Sequence, residues 1–497
     1  MKKYLQFLLA AMLLMSFRLE AATFVFTQNC LYAQEHIFTL KFDNARLFLE
    51  VEKKSNPDNM AVVLLENYID FLENTVREET ALYKKTKENE APRLKTLKEN
   101  EVKSGWYLFA QAEVKLQWAF IKLRMGDHFS AGVDLRDAYS LLKKNKELYP
   151  DFNINNKSLG LIEAILGAVP QKYNLLVKMV GLKGDIKKGI AKMELYTFAA
   201  STNKEDVFFK QEAAFMDAML HHHLLKETEK AWTIIEPCTR NFKTNLLQAY
   251  MRATIAGYNG MNDEIITILS DKPTFKEYPF YYLDYMLGLA KLRKLDFTGD
   301  IYIKIFTVKY NGLSYIKSAY RYLALSSLLQ GKESDYKSYS SICRKKGVAN
   351  IEEDKQSEKE SIAADIHNTD LLSARLLFDG KYYDKANVFI SKVNEINLSS
   401  LKEKLELNYR KGRLAHEQKE YAKAKVFYES TIAKGTDQPY YFAAYSALQL
   451  GFIYEIEKNK TLAIKYFKMA KNDFTKNTEY VSSIDQKARA ALKRLDE

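Results

Sequence analysis

Three consecutive histidines, His221 to His223, are the first residues of this 497-residue chain whose chemistry suggests a site. Imidazole nitrogens are common ligands of zinc and copper, and imidazole rings titrate near neutral pH. Neighbouring residues of a helix point about 100° apart, so three adjacent histidines cannot converge on one ion without donors from a second helix. The run therefore predicts a partly exposed, pH-sensitive helix surface rather than a metal site.

The motifs of nucleotide-binding and zinc-protease sites are incomplete in this chain. Gly184 and Gly189 have the spacing of a phosphate-binding loop, but Ile190 occupies the position where a lysine must reach the phosphates. A zinc-protease motif begins at His416, but Glu420 stands where its second histidine is required. Without that lysine the first motif cannot hold phosphates in the usual way, and without the second histidine the other motif lacks a zinc ligand.

Two runs of acidic residues could in principle supply a general acid and a general base. They are Glu78-Glu79 and Glu352-Glu353-Asp354, and both lie in strongly charged stretches. Such stretches are typical of solvated helix faces. We therefore predict no catalytic residue, no cofactor-binding residue and no metal ligand, so the chain is not expected to be an enzyme.

Tyrosine is unusually frequent, with 33 residues, and many of them lie between Tyr278 and Tyr339. A tyrosine ring offers a flat apolar face and a polar tip, which suits the binding of peptides or sugars. Aromatic residues also fill the wide spaces between the helices of repeat proteins, and this interpretation is favoured for most of them. Tyr281 and Tyr285, one helical turn apart, are the candidate partner-binding residues.

The composition indicates which elements position these residues. The chain has only 19 glycines and 8 prolines, while 47% of its residues are hydrophobic and 28% are charged. Turn-rich β-sandwiches, collagen-like chains and Pro/Gly-rich disordered chains are poor fits to these numbers. The composition predicts a long, mostly helical protein with enough apolar residues for a continuous core.

The stretch from Ala447 to Ala470 has the spacing of a tetratricopeptide repeat, a 34-residue pair of antiparallel helices. Small residues are expected where the two helices cross, and bulky ones where neighbouring pairs meet. In this copy the expected packing residues are Gly451, Tyr454, Ala463, Phe467 and Ala470.

Two further copies precede this one, with alanines at intervals of about 38 residues. Their packing residues are Gly412, Tyr421, Ala424 and Tyr428 in one copy and Tyr383, Ala386 and Ile390 in the other. The sequence thus predicts an all-α fold, an α-solenoid of antiparallel helix pairs with a TPR-like superhelix. Residues 366–497 are expected to form about three regular repeats with a C-terminal capping helix from Glu479 to Leu495. Residues 23–360 are expected to form a divergent helical-repeat region, with the boundary near 350 to 370.

The first 22 residues have the pattern of a signal peptide. Lys2 and Lys3 precede an apolar run from Tyr4 to Met15, and small residues end at Ala22. The run is too short for a typical spanning helix, although an uncleaved anchor is the alternative. No cysteine follows the apolar run directly, so the protein is not expected to be a lipoprotein. The expected location is periplasmic or outer-membrane associated.

The cysteines indicate whether disulfides are expected, and the net charge indicates which classes of partner are favoured. Cys30, Cys238 and Cys343 are far apart, so buried free thiols are favoured over a disulfide framework, although one pair could bridge. The net charge of +12 is spread among acids and is no sign of nucleic-acid binding. It is consistent with weak attraction to acidic partners, and peripheral membrane association is left open.

Residues 157–193, KSLGLIEAILGAVPQKYNLLVKMVGLKGDIKKGIAKM, resemble the hallmark segment of the tetratricopeptide repeat protein 39 family, which includes the inclusion-body clearance protein. The matching features are a leucine-rich helix with small residues, Pro170 and the Gly-rich turn 181–184. The run DLLSARLLFDGKYYDKA resembles repeat units of exported bacterial relatives. The resemblance implies an all-helical repeat protein without known catalysis, and it assigns no binding residues.

These observations predict an exported, non-catalytic scaffold that binds a protein or peptide partner in the cell envelope. The first alternative is a carbohydrate- or nutrient-binding component of an uptake system, in which tyrosines would form the ligand platform. The second alternative is a divergent enzyme in the region from Ala22 to about Asn350, which no motif supports.

Overall fold

The structure is a computed structural model that describes residues 22–168, 184–273, 278–362, 368–474 and 480–496. Within these ranges every regular element is a helix, and the single β-bridge joins Thr23 to Asn59. The predicted all-α class of paired antiparallel helices is therefore confirmed. The predicted signal peptide lies outside the described residues except for Ala22. No helix within these ranges is long and apolar enough to span a bilayer.

The chain forms two compact units that divide between Glu227 and Thr228, with Tyr278 belonging to the first unit. In unit 1 the helices are α1 (Gln28–Phe38), α2 (Phe42–Ser55), α3 (Ala61–Arg77), α4 (Thr80–Lys87), α5 (Glu90–Glu99), α6 (Gly105–Arg124), α7 (His128–Leu148), α8 (Asn155–Ala168), α9 (Ile186–Thr197) and α10 (Asp206–Leu220). Helices α6 and α7 form the pair that the sequence predicts around Gly126, which has a φ of 86°.

Helices α8 and α9 touch backbone to backbone, and this contact accounts for the glycines of the 157–193 segment. A Cβ atom on Gly160 would lie 2.5 Å from the carbonyl oxygen of Gly189, and one on Gly189 would lie 2.4 Å from the amide nitrogen of Ala164. Any side chain at these two positions would force the helices apart. Pro170 and residues 181–183 of the segment lie outside the described residues.

Most helices of unit 2 form consecutive pairs. Its helices are α11 (Thr228–Ile235), α12 (Leu246–Tyr258), α13 (Asn262–Ser270), α14 (Tyr282–Arg293), α15 (Asp300–Lys309), α16 (Ile316–Leu329), α17 (Glu333–Lys345), α18 (Glu352–Ile362), α19 (Thr369–Asp379), α20 (Tyr383–Lys392), α21 (Leu401–Glu417), α22 (Tyr421–Gly435), α23 (Tyr441–Ile456), α24 (Lys460–Asn472) and α25 (Val481–Asp496). The pairs are α12/α13, α14/α15, α16/α17, α19/α20, α21/α22 and α23/α24. Helix α18 is an additional helix that packs on the α16/α17 pair.

The same turn closes the first helix of each of these six pairs. One residue of the turn has a positive φ, and the next amide donates a hydrogen bond to the carbonyl five residues before it, as in a Schellman motif. The residues with positive φ are Gly260, Leu295, Gly331, Lys381, Lys419 and Lys458. The helix stop that the sequence predicts at Gly331 is confirmed. The turn recurs on both sides of residues 350 to 370, and the boundary between divergent and regular repeats stays a prediction.

The two repeat glycines lie directly under aromatic rings. A Cβ atom on Gly412 would be 2.7 Å from the ring of Tyr428, and one on Gly451 would be 2.5 Å from the ring of Phe467. Among the other predicted packing residues of these two repeats, Ala424, Ala463 and Ala470 are buried, and Tyr421 and Tyr454 are half-buried. Each of these two glycines therefore makes room for one aromatic ring of the second helix.

Helix α25 covers the last pair. It buries Ile484, Ala488 and Ala491 against a cluster that includes Ala463 and Phe467. Its charged residues Asp485 and Arg489, which lie beside this buried side of the helix, are joined by an ion pair of 2.9 Å. Because the cap covers the apolar surface of α24, the stack of pairs ends without an exposed core.

Candidate functional site

Tyr285 lies in the core of unit 2 and is 3% exposed. Its hydroxyl group is 2.8 Å from the hydroxyl of Ser318, and its ring centroid is 5.3 Å from that of Phe306. Burial raises the pKa of Tyr285 well above its usual value. The ligand-facing role predicted for Tyr285 is therefore wrong, because the next helix pair covers this side of α14. Tyr281 is half-buried against the same cluster.

The histidine run is partly exposed, as the sequence predicts, but its first residue is buried. His221 is 1% exposed, with Nδ1 2.8 Å from Glu227 and Nε2 3.2 Å from Glu194. The run forms a π-helical turn, and only His223 is exposed. Burial lowers the pKa of His222 to about 4, so this ring is neutral near pH 7. No group of three or more potential metal ligands occurs among the described residues.

The two acidic runs also contain buried carboxylates. Glu78 is 4% exposed and forms an ion pair of 2.5 Å with Arg124. Asp354 is fully buried, and it accepts hydrogen bonds of 2.7 and 2.9 Å from the amides of Tyr315 and Ser318 at the start of α16. Their interpretation as solvated faces is wrong at these two positions, because each carboxylate serves as a structural acceptor.

A buried ionic cluster in unit 1 was missed in the sequence. Lys157 is 1% exposed and donates hydrogen bonds of 3.0 Å to Glu113 and 2.8 Å to Glu212. The hydroxyl of Tyr68 donates to Glu212 over 3.0 Å, and Ser158 donates to Glu113. The cluster joins α3, α6, α8 and α10. A lysine that opens the apolar helix α8 was the signal in the sequence.

This cluster holds one cation and two carboxylates away from solvent. Burial raises the pKa of Glu212, while Lys157 opposes that rise. The ammonium also lies about 6 Å from the ring centroids of Phe109 and Phe209. A substrate cannot reach a group that is 1% exposed, so the cluster serves the internal structure of unit 1.

A hollow of about 520 Å³ lies between α2, α3 and α5 in unit 1. Glu66 is the one acidic residue of its lining, and it forms an ion pair of 2.5 Å with Lys53. Arg93, also in the lining, is paired with Asp70 at 2.6 Å. The hollow thus brings no two carboxylates together and supplies no general acid–base pair.

In unit 2, partly exposed arginine and aromatic side chains lie together on the first helices of the C-terminal pairs. Helices α19, α21, α23 and α25 lie side by side. They present half-buried aromatic and guanidinium side chains, which we call the first-helix face: Arg375, Phe378, Arg413, Tyr441 and Tyr445.

Arg413 is the centre of the first-helix face. Its guanidinium lies 4.8 Å from the ring centroid of Phe378, donates to the hydroxyl of Tyr409 over 3.1 Å and contacts Glu417 at 3.4 Å. Its side chain is 23% exposed, while its Nε is buried and has no hydrogen-bond acceptor in the part of the chain that the structure describes. Residues of two neighbouring helix pairs therefore hold this guanidinium group in one orientation, with part of the side chain exposed to solvent.

Arg375 and the tyrosines extend this face on either side of Arg413. Arg375 forms an ion pair of 3.2 Å with Glu360, and its side chain is 21% exposed. The ring of Tyr441 meets those of Tyr445 and Tyr480 edge to face, at centroid distances of 5.7 and 5.2 Å. Rigid tyrosines and arginines at partly exposed positions are the residue types that dominate the energetics of protein interfaces.

Comparisons with known proteins add little to this geometry. No family model matches the chain, and no curated protein sequence matches it. Among solved structures, the APC/C hetero-tetramer Cut9–Hcn1 aligns over 95% of this chain and 97% of its own, with 12% identity and a TM-score of 0.23. Naa15/Naa10 bound to HypK-THB aligns over 95% of this chain and 80% of its own, with 13% identity and a TM-score of 0.20. The fold assignment rests on the helix pairs of this chain itself, and the resemblance to the tetratricopeptide repeat protein 39 family stays a prediction.

Proposed function

We propose that this chain is a non-catalytic helical-repeat scaffold that binds a protein or peptide partner through the first-helix face. The observation that carries the proposal is Arg413, whose partly exposed guanidinium group is held between Phe378 and Tyr409. This residue offers a planar, oriented hydrogen-bond donor beside an aromatic surface. Such an arrangement suits a segment of polypeptide with both carbonyl groups and apolar side chains.

The packing of the first helices favours binding without large rearrangement. Ring contacts with Tyr409 and Tyr480 fix the positions of Tyr441 and Tyr445, so little conformational entropy is lost at the surface when a partner docks. Truncation of a central tyrosine or arginine in an interface typically costs about 2 kcal/mol or more of binding free energy.

We further infer that the scaffold acts outside the cytoplasm. The support is the sequence of residues 1–22, with its basic start, its short apolar run and its small residues before the cleavage position. The partner is then a protein of the cell envelope, and the scaffold serves assembly, secretion or the holding of complexes there.

The experiment is an affinity pull-down from envelope extract with the mature chain, residues 23–497, as bait. Arg413→Ala and Tyr445→Ala test the first-helix face. Lys468→Ala and Tyr466→Ala are matched controls on the second helix α24, where Lys468 is exposed and Tyr466 half-buried. Each recovered protein is then purified, and its affinity for all five baits is measured.

The proposal requires a partner whose affinity falls at least tenfold with both face variants and stays within about twofold with both controls. Circular dichroism and thermal melting establish that the four variants are folded. A partner that binds all five baits equally would exclude the first-helix face. Turnover of a small molecule by the purified chain would contradict the non-catalytic assignment.

A further inference from the structure

Helix α15, the second helix of its pair, exposes a stripe of aliphatic side chains. Ile301, Ile305 and Val308 are 59%, 38% and 74% exposed, and their spacing places them on one side of the helix. The two other exposed residues of α15 are Lys304 and Lys309. The outward face of this helix therefore consists of three aliphatic and two basic side chains.

Packing within unit 2 does not require this stripe. The opposite side of α15 buries Ile303 and Phe306, which are both fully buried in the cluster formed with α14 and α16. A second helix of a repeat needs one apolar side, and the other side is normally polar. The aliphatic stripe is thus additional to what the fold uses.

The second helices of the two adjoining pairs have polar outward faces. Helix α13 exposes Asp263 and Thr267, and helix α17 exposes Glu333, Asp335 and Lys337. Among these three second helices, exposed aliphatic side chains therefore occur on α15 alone. An apolar strip of this width, with polar helices on both sides, matches the apolar face of a single amphipathic helix.

The charged residues beside the stripe indicate which kind of binding partner it favours. Two copies of this chain meeting through α15 would bring Lys304 and Lys309 of both copies together, and like charges at a contact repel. A flat anionic bilayer would attract the lysines, but the exposed acids Asp263, Glu333 and Asp335 on the adjoining helices balance the exposed cations Lys337, Arg344 and Lys345, so these helices add no net positive charge. A single helix would contact α15 alone and would avoid both problems.

We propose that α15 is a second interaction surface, which docks an amphipathic helix of another protein. The apolar seam of that helix packs on Ile301, Ile305 and Val308, and acidic side chains beside the seam pair with Lys304 and Lys309. This surface lies on one second helix, and it is independent of the first-helix face. One scaffold can therefore hold two different partners.

The test uses two synthetic helical peptides with the same leucine seam, one with glutamates and one with lysines beside the seam. Binding to the full mature chain is measured by fluorescence anisotropy at low salt. The glutamate peptide is expected to bind, and the lysine peptide is expected to bind at least tenfold more weakly. Ile305→Asp is expected to abolish binding, and Val308→Asp provides a second variant at a more exposed position. The control is Val388→Asp on α20, where Val388 is 56% exposed.

The double variant Lys304→Glu/Lys309→Glu is the most discriminating test. It should reverse the order of affinities and bind the lysine peptide more tightly than the glutamate peptide. Equal binding of both peptides, or an unchanged preference in the double variant, would overturn the proposal. Binding to phosphatidylglycerol vesicles that is lost in Ile305→Asp would assign the stripe to a membrane instead. Sedimentation of a dimer that dissociates in Ile305→Asp would assign it to a second copy of the chain.

Discussion

Lys157 and Glu212 form a hydrogen-bonded ion pair of 2.8 Å in unit 1, where the lysine is 1% exposed. Glu113 accepts a second hydrogen bond from the same ammonium group at 3.0 Å. The ammonium group of Lys157 thus supplies the counter-charge for two carboxylates that are shielded from water. The stability of unit 1 is therefore sensitive to the loss of that cation.

Lys157→Met is expected to lower the free energy of unfolding by about 3–5 kcal/mol, because it leaves two buried carboxylates without a counter-charge. Urea denaturation followed by circular dichroism measures this loss. Lys188→Met on α9, where the lysine is exposed, serves as the control and should change stability by less than about 0.5 kcal/mol. An equal effect of both substitutions would show that the buried cluster is not a structural requirement.

Asp354 gives a prediction about pH. Burial raises the pKa of its carboxyl group from 3.8 to about 6. A carboxyl group with a raised pKa in the folded state stabilises the fold fully below its unfolded pKa, and that stabilisation is lost as pH rises through the folded pKa. Wild-type protein should therefore lose stability relative to Asp354→Asn between about pH 4 and pH 6, by up to about 3 kcal/mol.

Chemical denaturation of both proteins at several pH values between 4 and 7 measures this difference. The asparagine side chain does not titrate, but its single carbonyl oxygen can accept only one of the two amide hydrogen bonds at the start of α16, so a loss of stability that is independent of pH is expected as well. Glu352→Gln is the control, because Glu352 is exposed on the same helix. A stability difference that is constant with pH would contradict the raised pKa of Asp354.

The repeats could be predicted from the sequence because their packing is local. Gly412 meets Tyr428, and Gly451 meets Phe467, within one helix pair, so the spacing of small and bulky residues carries the information. The same reasoning applies to the helix stop at Gly331. Each feature depends on residues that are near in sequence.

The buried polar groups could not be predicted because their partners are distant in sequence. Tyr285 is covered by α16 through Ser318, and His221 meets Glu194 across a different helix. Asp354 caps a helix that begins well before it, at Ile316. A residue of this kind looks exposed or ligand-facing in the sequence, since nothing nearby shows what covers it.

Gly331→Ala is expected to destabilise the protein by about 1 kcal/mol through the backbone alone. Gly331 has a φ of 71°, and no atom would lie within 4 Å of the added Cβ, so left-handed strain is the whole cost. Gly257→Ala is the matched control inside α12, where alanine should stabilise by up to about 1 kcal/mol. Thermal melting of the two variants should give shifts of opposite sign, and shifts of the same sign would contradict the turn geometry.

Gly451→Ala is expected to destabilise unit 2 by about 1–3 kcal/mol, because the added methyl group would lie 2.5 Å from the ring of Phe467. The clash is with one named side chain, so a smaller residue there should relieve it. Phe467→Leu alone leaves a cavity and is also destabilising. The double variant Gly451→Ala/Phe467→Leu should therefore be more stable than the sum of the two single effects predicts. A double-mutant cycle from urea denaturation measures this coupling, and strict additivity would mean that the two helices of this pair do not meet at Gly451 and Phe467.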